Sequence, residues 1–478
     1  MELFALSDRE PGRLLAVTDA DEHLSCGDLS AASEALARAI GGHVLVFLLC
    51  ENTPGTLLGY LGCLRCGAVP LLLDAHIAPG LLKGLAETYC PAFYYAPCDL
   101  PKETRAVLPQ AAPVLELHGS LLLSGSVEGP AIHPDLALLL TTSGSTGSPK
   151  LVRLSGKNLD ANARSIAEYL NLEEDERPIT TLPMSYSYGM SIVNSHLLVG
   201  APLLLTRHSV MERSFWDRVD REGATSLAGV PYTYQMFHRL GLISMNLPRL
   251  RTLTQAGGKL SLELHREFAA WAMGTGRQFF VMYGQTEAAP RMGYLPANRA
   301  VEKCGSMGVP IPGGSFWLED ADGAEIKTPD ATGELVYRGD NVAMGYAQCA
   351  EDLSKGDEWG GLLRTGDMAY RDRDGFYYIV GRKKRFVKLF GNRVNLDEVE
   401  RLLTARFPDV QFACVGRDDL LGIYTVSNSP AIPSQALMYL AEQMHLPSRV
   451  LRVYPVAIIP QNEAGKTLYT KLPIDGPR

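Results

Sequence analysis

Residues 141–150 read TTSGSTGSPK, a run without an acidic side chain that ends on Pro149 and Lys150. Gly144 and Gly147 let the backbone turn tightly and expose its N–H groups. Thr141, Thr142, Ser143, Ser145 and Thr146 add hydroxyl donors, and Lys150 adds a cation. A loop of this kind can hold a polyphosphate; the lesser alternative, read alone, is an ordinary polar Gly/Ser loop. It is not a Walker loop, which needs GxxxxGK[ST] between a strand and a helix: Pro149 cannot continue a helix, and the LVRL that follows Lys150 reads as a strand. The chain does contain Gly465-Lys466-Thr467, but Pro460 stands where the first Walker glycine is required.

The 478 residues, 46% of them hydrophobic, exceed what one core can organise, so more than one domain is expected. A formal charge of -8 without a Lys/Arg-rich block argues against a nucleic-acid footprint, so any bound anion must be gripped locally. Nine cysteines in no framework pattern, and an opening without signal-peptide architecture, read as a reducing cytoplasm. Apolar runs such as HVLVFLL fall far short of the roughly 20 residues of a membrane helix, so no membrane span is expected. Cys63 and Cys66 form a CxxC inside an apolar, helical-looking stretch, and the next pair, Cys90 and Cys98, has no zinc spacing.

From 26 to about 115 the text alternates helical and strand-like segments: SAASEALARAI, HVLVFLL, TPGTLLGYLGCLRCGA, AVPLLL. Alternation of that kind favours a parallel sheet covered by helices. It resumes after 150 through PLLLT, TSLAGV, LRTLTQAG and RQFFVMYG, giving a large α/β body over 1–382. Near 334 short strands and turns take over, with Asp374-Gly375 as a hairpin signal. The remainder, 383–478, reads as a small α+β domain whose clearest helix opens at Asn395, with Glu398 three residues on and Leu396, Val399, Leu402 and Leu403 on its apolar side.

Further motifs follow in order: Tyr283-Gly284-Gln285-Thr286-Glu287, Gly333-Glu334-Leu335 with Gly339 and Gly345-Tyr346, Thr365-Gly366-Asp367, GRKKRFVKLFGNRVNLDEVE over 381–400 and PQNEAGKTLYTKL over 460–472. With the 141–150 loop and the early LGCLRCGAVPLLLDAH, this set resembles the adenylate-forming superfamily: acyl-CoA synthetases, luciferases and the adenylation domains of peptide synthetases. The resemblance covers nearly the whole chain. It implies a two-step reaction in which a carboxylate attacks the α-phosphorus of ATP, releasing pyrophosphate, and a thiol then displaces AMP.

Residue by residue, the resemblance implies that the 141–150 loop holds the β- and γ-phosphates, Thr286 hydrogen-bonds the α-phosphate and Glu287 holds Mg²⁺. Tyr283 would stack on adenine beside the backbone of Ala256-Gly257-Gly258. Asp367 would accept the ribose hydroxyls, Arg382 would support the ribose and Arg393 the phosphate. Lys466 would bridge carboxylate and α-phosphate in the transition state, although thirteen residues from a C-terminus it reads, alone, as a surface lysine. Lys384 falls at the hinge about which the family's small domain swings, withdrawing the Lys466 loop; Gly391 would leave room for the thiol. Taken alone, Arg382 is a solvated member of the basic run RKKR, and KKR reads as solvated unless it contacts phosphates of coenzyme A or an acidic partner.

The segment TLPMSYSYGMSIVNSHLLVGAP over 181–202 corresponds in that family to the acyl-pocket helix and its entrance. It holds no Asp or Glu to pair an α-ammonium, which favours an acid without an α-amino group and resembles acyl-CoA synthetases here. Tyr186, Tyr188, Tyr232, Gly258 and Met282 are candidate pocket walls, each equally readable as core. Arg291, after TEAAP, reads as a surface arginine, the alternative being a partner for a second polar group on the substrate. The expected activity is an AMP-forming ligase joining a small carboxylic acid to coenzyme A. The alternatives are loading of the phosphopantetheine of an acyl carrier protein, or a non-catalytic adenylate-binding protein that should have lost Lys466, Glu287 or Asp367.

Overall fold

A computed structural model describes residues 8–141, 150–389, 392–417, 419–427, 429–444, 447–461 and 467–476, with the backbone alone for Lys384, Phe386, Lys388, Asn392, Arg393 and Asn395. The described chain divides into two compact units. One takes in 8–141, 150–315 and Tyr337–Leu363; the other takes in Phe316–Val336 and the residues from Arg364 onward.

Two larger sheets of the first unit frame the motifs, beside a small three-stranded one of Leu203–Leu204, Leu14–Val17 and His23–Ser25. In the larger, eight strands lie in the order Gly345–Ala347, Leu151–Ser155, Leu136–Thr141, Val69–Asp74, Leu45–Cys50, Phe93–Pro97, Ser120–Ser124 and Leu115–Leu117. The middle four run parallel, as the alternating text predicts. Every residue of Leu45–Cys50 is buried. Val46 and Leu48 enter one core with Leu57 and Leu61 of the helix Pro54–Cys66, while Leu45, Phe47 and Leu49 enter another with Leu82 and Leu85 of the helix Pro79–Tyr89. A strand covered on both faces loses the apolar/polar alternation of a half-buried one, hence the unbroken run LVFLLC.

Helix ends follow local chemistry. Ser25 accepts from the Asp28 amide, Asp28 accepts from the Ser25 amide at 2.8 Å, and the helix Cys26–Ile40 closes on Gly41 at φ 81°. The second sheet carries five strands in the order Ser226–Gly229, Thr252–Gln255, Gln278–Gly284, Arg291–Leu295 and Val309–Pro310, the first three parallel. The helices Gly156–Leu170 and Ser187–Val199 contribute Ile166, Leu170 and Tyr188 to the core that also holds Ala228, Phe280 and Met282 of this sheet.

The second unit holds a four-stranded sheet ordered Ser315–Glu319, Thr332–Arg338, Leu362–Arg371 and Tyr377–Arg382. Its last two strands form the hairpin expected around Asp374-Gly375, with Gly375 at φ 87° and the Asp372 carboxylate accepting from the amides of Asp374 and Phe376. The hairpin Phe386–Leu389/Asn392–Asn395 follows, then the helix Leu396–Arg406 and the three-stranded sheet Gln411–Arg417, Leu420–Val426 and Leu451–Pro455. Leu396, Val399 and Leu403 are buried as expected, and Leu402 is half-buried.

Candidate active site

In parallel sheets ligands gather beyond the carboxyl ends of the strands. Three such ends lie in the five-stranded sheet, after Gly229, Gln255 and Gly284, and the segments leaving them carry the motifs. Beyond Gly284 the chain makes a 3₁₀ turn, Thr286–Ala288, and returns as Arg291–Leu295. The return is so tight that a Cβ on Gly284 would lie 1.9 Å from the Pro290 carbonyl oxygen, so glycine is required there.

The turn presents Thr286 and Glu287, both half-buried. The Thr286 hydroxyl lies 3.1 Å from Ser187 Oγ at the start of the helix Ser187–Val199. The Glu287 carboxylate accepts from the Tyr346 hydroxyl at 2.7 Å, and its carbonyl accepts from the Ala343 amide at 2.9 Å. The Lys150 ammonium lies 5.2 Å from the centroid of the same Tyr346 ring, whose edge contact with Trp359 at 4.9 Å fixes it from another side. Thus Lys150 and Glu287, 137 residues apart in number, are brought together through one tyrosine. Tyr346 was visible in sequence only as the second residue of Gly345-Tyr346, and Ser187 carried no signal of its own.

Gly257, after Gln255, has φ +83°, and a Cβ there would meet the Tyr186 hydroxyl at 2.8 Å. Glycine therefore allows the backbone to approach Tyr186 closely. Gly258 is exposed, and Tyr283 is half-buried with the Gln285 side-chain amide 3.4 Å from its hydroxyl. Tyr186 precedes the helix Ser187–Val199, and its ring meets that of Tyr188 edge-on at 6.3 Å. Tyr188 is 2% exposed and donates to Thr254 Oγ1 at 2.9 Å; burial pushes its phenol up to about 12. Met282 is buried and its sulfur accepts from the Tyr169 hydroxyl at 3.0 Å. Tyr232 differs from these, being 57% exposed on the helix Pro231–Arg239.

Arg291 corrects the surface reading: it is 3% exposed. Its guanidinium sits 3.9 Å from the Tyr188 ring centroid, and its carbonyl accepts from the side-chain amides of Asn162 at 3.0 Å and Asn341 at 2.7 Å. The cause is tertiary. Pairing of Gly284 with Arg291 at the head of the return strand carries the arginine into the core between the sheet and the helices. There it lines a small cavity with Ile166, Leu170, Ile192, His196 and Thr254.

In the second unit Asp367, 4% exposed, stands opposite Arg382 in the register of the hairpin, with Arg382 Nε 2.7 Å from Asp367 Oδ1. The Asp367 amide donates to Thr365 Oγ1 at 3.0 Å, and Thr365 donates to the Leu335 carbonyl at 2.7 Å. The basic run is not simply solvated. Lys383 pairs with Glu334 at 2.5 Å, and Arg385 is held by Asp397, by Glu400 at 2.6 Å and over the Tyr469 ring at 3.6 Å. Tyr469 in turn donates to Glu400 at 2.9 Å.

Residues 142–149, Gly391 and Lys466 lie outside the described residues, as does the Arg393 side chain. The flanks are described: Thr141 ends one strand and pairs opposite Leu151, next to Lys150, in its antiparallel neighbour. Gln461 likewise pairs with Thr467.

Residues 4–347 match the family of AMP-binding enzymes. The chain is 30% identical to an indoleacetate–CoA ligase of Aromatoleum aromaticum over 88% of this chain and 86% of that one. It is 30% identical to a feruloyl-CoA synthase of an Amycolatopsis species over 77% and 74% of the two chains. Its fold resembles that of the O-succinylbenzoate coenzyme A synthetase of Bacillus subtilis in complex with AMP, with a TM-score of 0.81, 22% identity and coverage of 98% and 97%. Motifs in order, the parallel-strand ends that carry them and the match over most of the sequence agree: the chain belongs to the AMP-binding enzyme family.

Proposed function

We propose that this enzyme, an AMP-forming acid–CoA ligase, activates a carboxylic acid lacking an α-amino group and does so with the residues of the Thr286-Glu287 turn at the centre. The observation that carries the reading is the Glu287 carboxylate, oriented by Tyr346 at the carboxyl end of the parallel strands with Lys150 on the same ring. Magnesium suits a single oriented carboxylate, because it binds through one or two carboxylates and completes its octahedron with phosphate oxygens and water. Among the described residues no group of three His, Cys, Asp or Glu side chains stands together. When bound, the ion neutralises charge on the nucleotide phosphates.

In this reading Thr141 to Gly147 and Lys150 grip the β- and γ-phosphates, and Thr286, positioned by Ser187, donates to the α-phosphate. Tyr283 stacks on adenine beside Gly257 and Gly258, Asp367 accepts from the ribose hydroxyls, and Arg382 and Arg393 support ribose and phosphate. Lys466 stabilises the charge that accumulates as the acid attacks. The acid enters past Tyr186, Tyr188, Tyr232 and Met282, and the thiol past Gly391. The proposal also places the domain boundary between 382 and 383, with Lys384 as the hinge.

The absence of any acidic side chain from 181–202 supports an acid without an α-ammonium group. Coenzyme A is the acceptor named for the indoleacetate and feruloyl relatives; an acyl carrier protein is the finer alternative. Nine free cysteines favour a reducing compartment such as the cytoplasm, and no helix among the described residues is long and apolar enough to cross a membrane. Incubation with a panel of carboxylic acids, ATP, Mg²⁺ and either coenzyme A or a holo-carrier, followed by mass measurement of the products, tests the reading. A coenzyme A thioester of an acid without an α-amino group is expected; preferential activation of α-amino acids, or thioester on the carrier alone, would refute it.

A further inference from the structure

The cavity lined by Arg291 and His196 is about 20 Å³, enough for one water-sized group and far too small for a ring. Its lining is apolar at Ile166, Leu170 and Ile192, yet two of its residues carry buried nitrogens without hydrogen-bond partners: Arg291 Nε and His196 Nε2. Both residues are 3% exposed. Buried polar atoms of this sort are nearly always satisfied, so two on one small cavity call for an occupant.

The two nitrogens ask for opposite things. Arg291 Nε is an N–H donor. His196 Nδ1 lies 2.8 Å from the Ile192 carbonyl, so it carries the ring proton and donates, which leaves Nε2 as an acceptor. Burial pushes the imidazole down to about 4, so the ring is neutral near pH 7. An anion would satisfy Arg291 but set its oxygen against the His196 lone pair and near Glu176, which lines the same cavity and whose carboxylate pairs with Arg251 at 3.4 Å. An ether or ketone would leave His196 unmet. A hydroxyl meets both, accepting from Arg291 and donating to His196, and it is the size of the space.

We propose that this cavity is the seat of a distal hydroxyl group on the acid, so that the enzyme selects hydroxy acids whose hydroxyl lies remote from the reacting carboxylate. The inference rests on the acid–CoA ligase reading, since Tyr188, which packs against Arg291 and donates to Thr254 of the cavity lining, belongs to the candidate acyl pocket. Without substrate a water molecule can satisfy both nitrogens, and the substrate hydroxyl takes its place. Arg291 and His196 become specificity residues, binding the tail and leaving the reacting atoms alone.

The test uses the full-length enzyme with ATP, Mg²⁺ and coenzyme A, measuring pyrophosphate release and thioester mass. The probes are phenylacetic, cinnamic and hexanoic acids, the 3- and 4-hydroxy, 4-methoxy and 4-carboxy forms of the aromatic acids, and 6-hydroxyhexanoic acid. At least one hydroxylated acid should exceed its parent in kcat/KM on the order of 100-fold, because a site built to bond a hydroxyl rejects the analogue lacking it. The methoxy and carboxy forms should fall to the parent's level or below. Arg291→Met and His196→Leu should each erase most of that preference. Parents turned over as well as every hydroxylated form by the unmodified enzyme would mean that the cavity holds a structural water only, overturning this inference while leaving the ligase reading intact. Preference for the carboxy forms would also overturn it. Failure of the whole panel to release pyrophosphate would overturn both. The comparison among acids on the unmodified enzyme does not depend on either variant folding.

Discussion

Tyr346→Phe removes one oxygen atom and isolates its effect. The ring stays, so the edge contact with Trp359 and the seat for the Lys150 ammonium are retained. What goes is the 2.7 Å hydrogen bond to the Glu287 carboxylate. A hydrogen bond to a charged group contributes about 1.5–3 kcal/mol; because both residues are only half-buried, the lower part of that range applies, about 1.5–2 kcal/mol. At 1.4 kcal/mol per decade this corresponds to about 10- to 30-fold, within the loss expected when a group orienting a metal ligand is removed. The loss should fall on metal use: in a titration of pyrophosphate release with MgCl₂ at saturating ATP and acid, half-saturation should move up by that factor, while Tm stays within about 2 °C. Glu287→Gln is the companion variant, expected to abolish activity at every magnesium concentration. A Tyr346→Phe titration superimposable on that of the unmodified enzyme would refute the assignment of Tyr346 as the residue that orients Glu287.

Other outcomes follow from the same reasoning. Arg385→Met leaves half-buried Glu400 without its 2.6 Å cationic partner, although the Cys414 amide and the Tyr469 hydroxyl still donate to it, and should destabilise the second unit by about 1–2 kcal/mol in denaturant unfolding; adding Glu400→Gln should recover part of that loss. His196, held near 4 by burial against an ordinary 6.5, has a depressed folded-state pKa. Its contribution to stability is therefore present above pH 6.5 and lost as pH falls towards 4, about 2 kcal/mol between pH 7 and pH 5. Comparing unfolding free energies at these two pH values, His196→Leu should lack that component. Lys466→Ala should lower pyrophosphate release by orders of magnitude while nucleotide titration shows ATP still bound; comparable turnover would refute its role.

Much of the fold could be read because its information is local. The runs HVLVFLL and AVPLLL became parallel strands buried on both faces, and Asp374-Gly375 became a hairpin, because apolar continuity and turn chemistry act over a few residues. Arg291 was misread because its burial comes from pairing across the sheet and from Asn162 and Asn341, which no local pattern announces. Tyr346 escaped for the same reason: its partner Glu287 is 59 residues away. Arg385 carried a usable signal. The run RKKR is followed by an acidic segment containing Asp397 and Glu400, and a half-buried arginine with carboxylates 12 and 15 residues on is an internal network, whereas the basic run by itself reads as solvated. His196, an acceptor left open in an apolar helix, looks in sequence like any core histidine; only the cavity beside it gives it meaning.

The central claim is that the acid's own oxygen bonds the α-phosphorus of ATP before the thiol attacks. Turning over a carboxylate labelled with ¹⁸O tests it most directly. The oxygen that attacks phosphorus stays there when the thiolate displaces AMP from the carbonyl, so one ¹⁸O should appear in AMP for each coenzyme A thioester formed. Unlabelled AMP, or label recovered in inorganic phosphate beside ADP, would contradict the account.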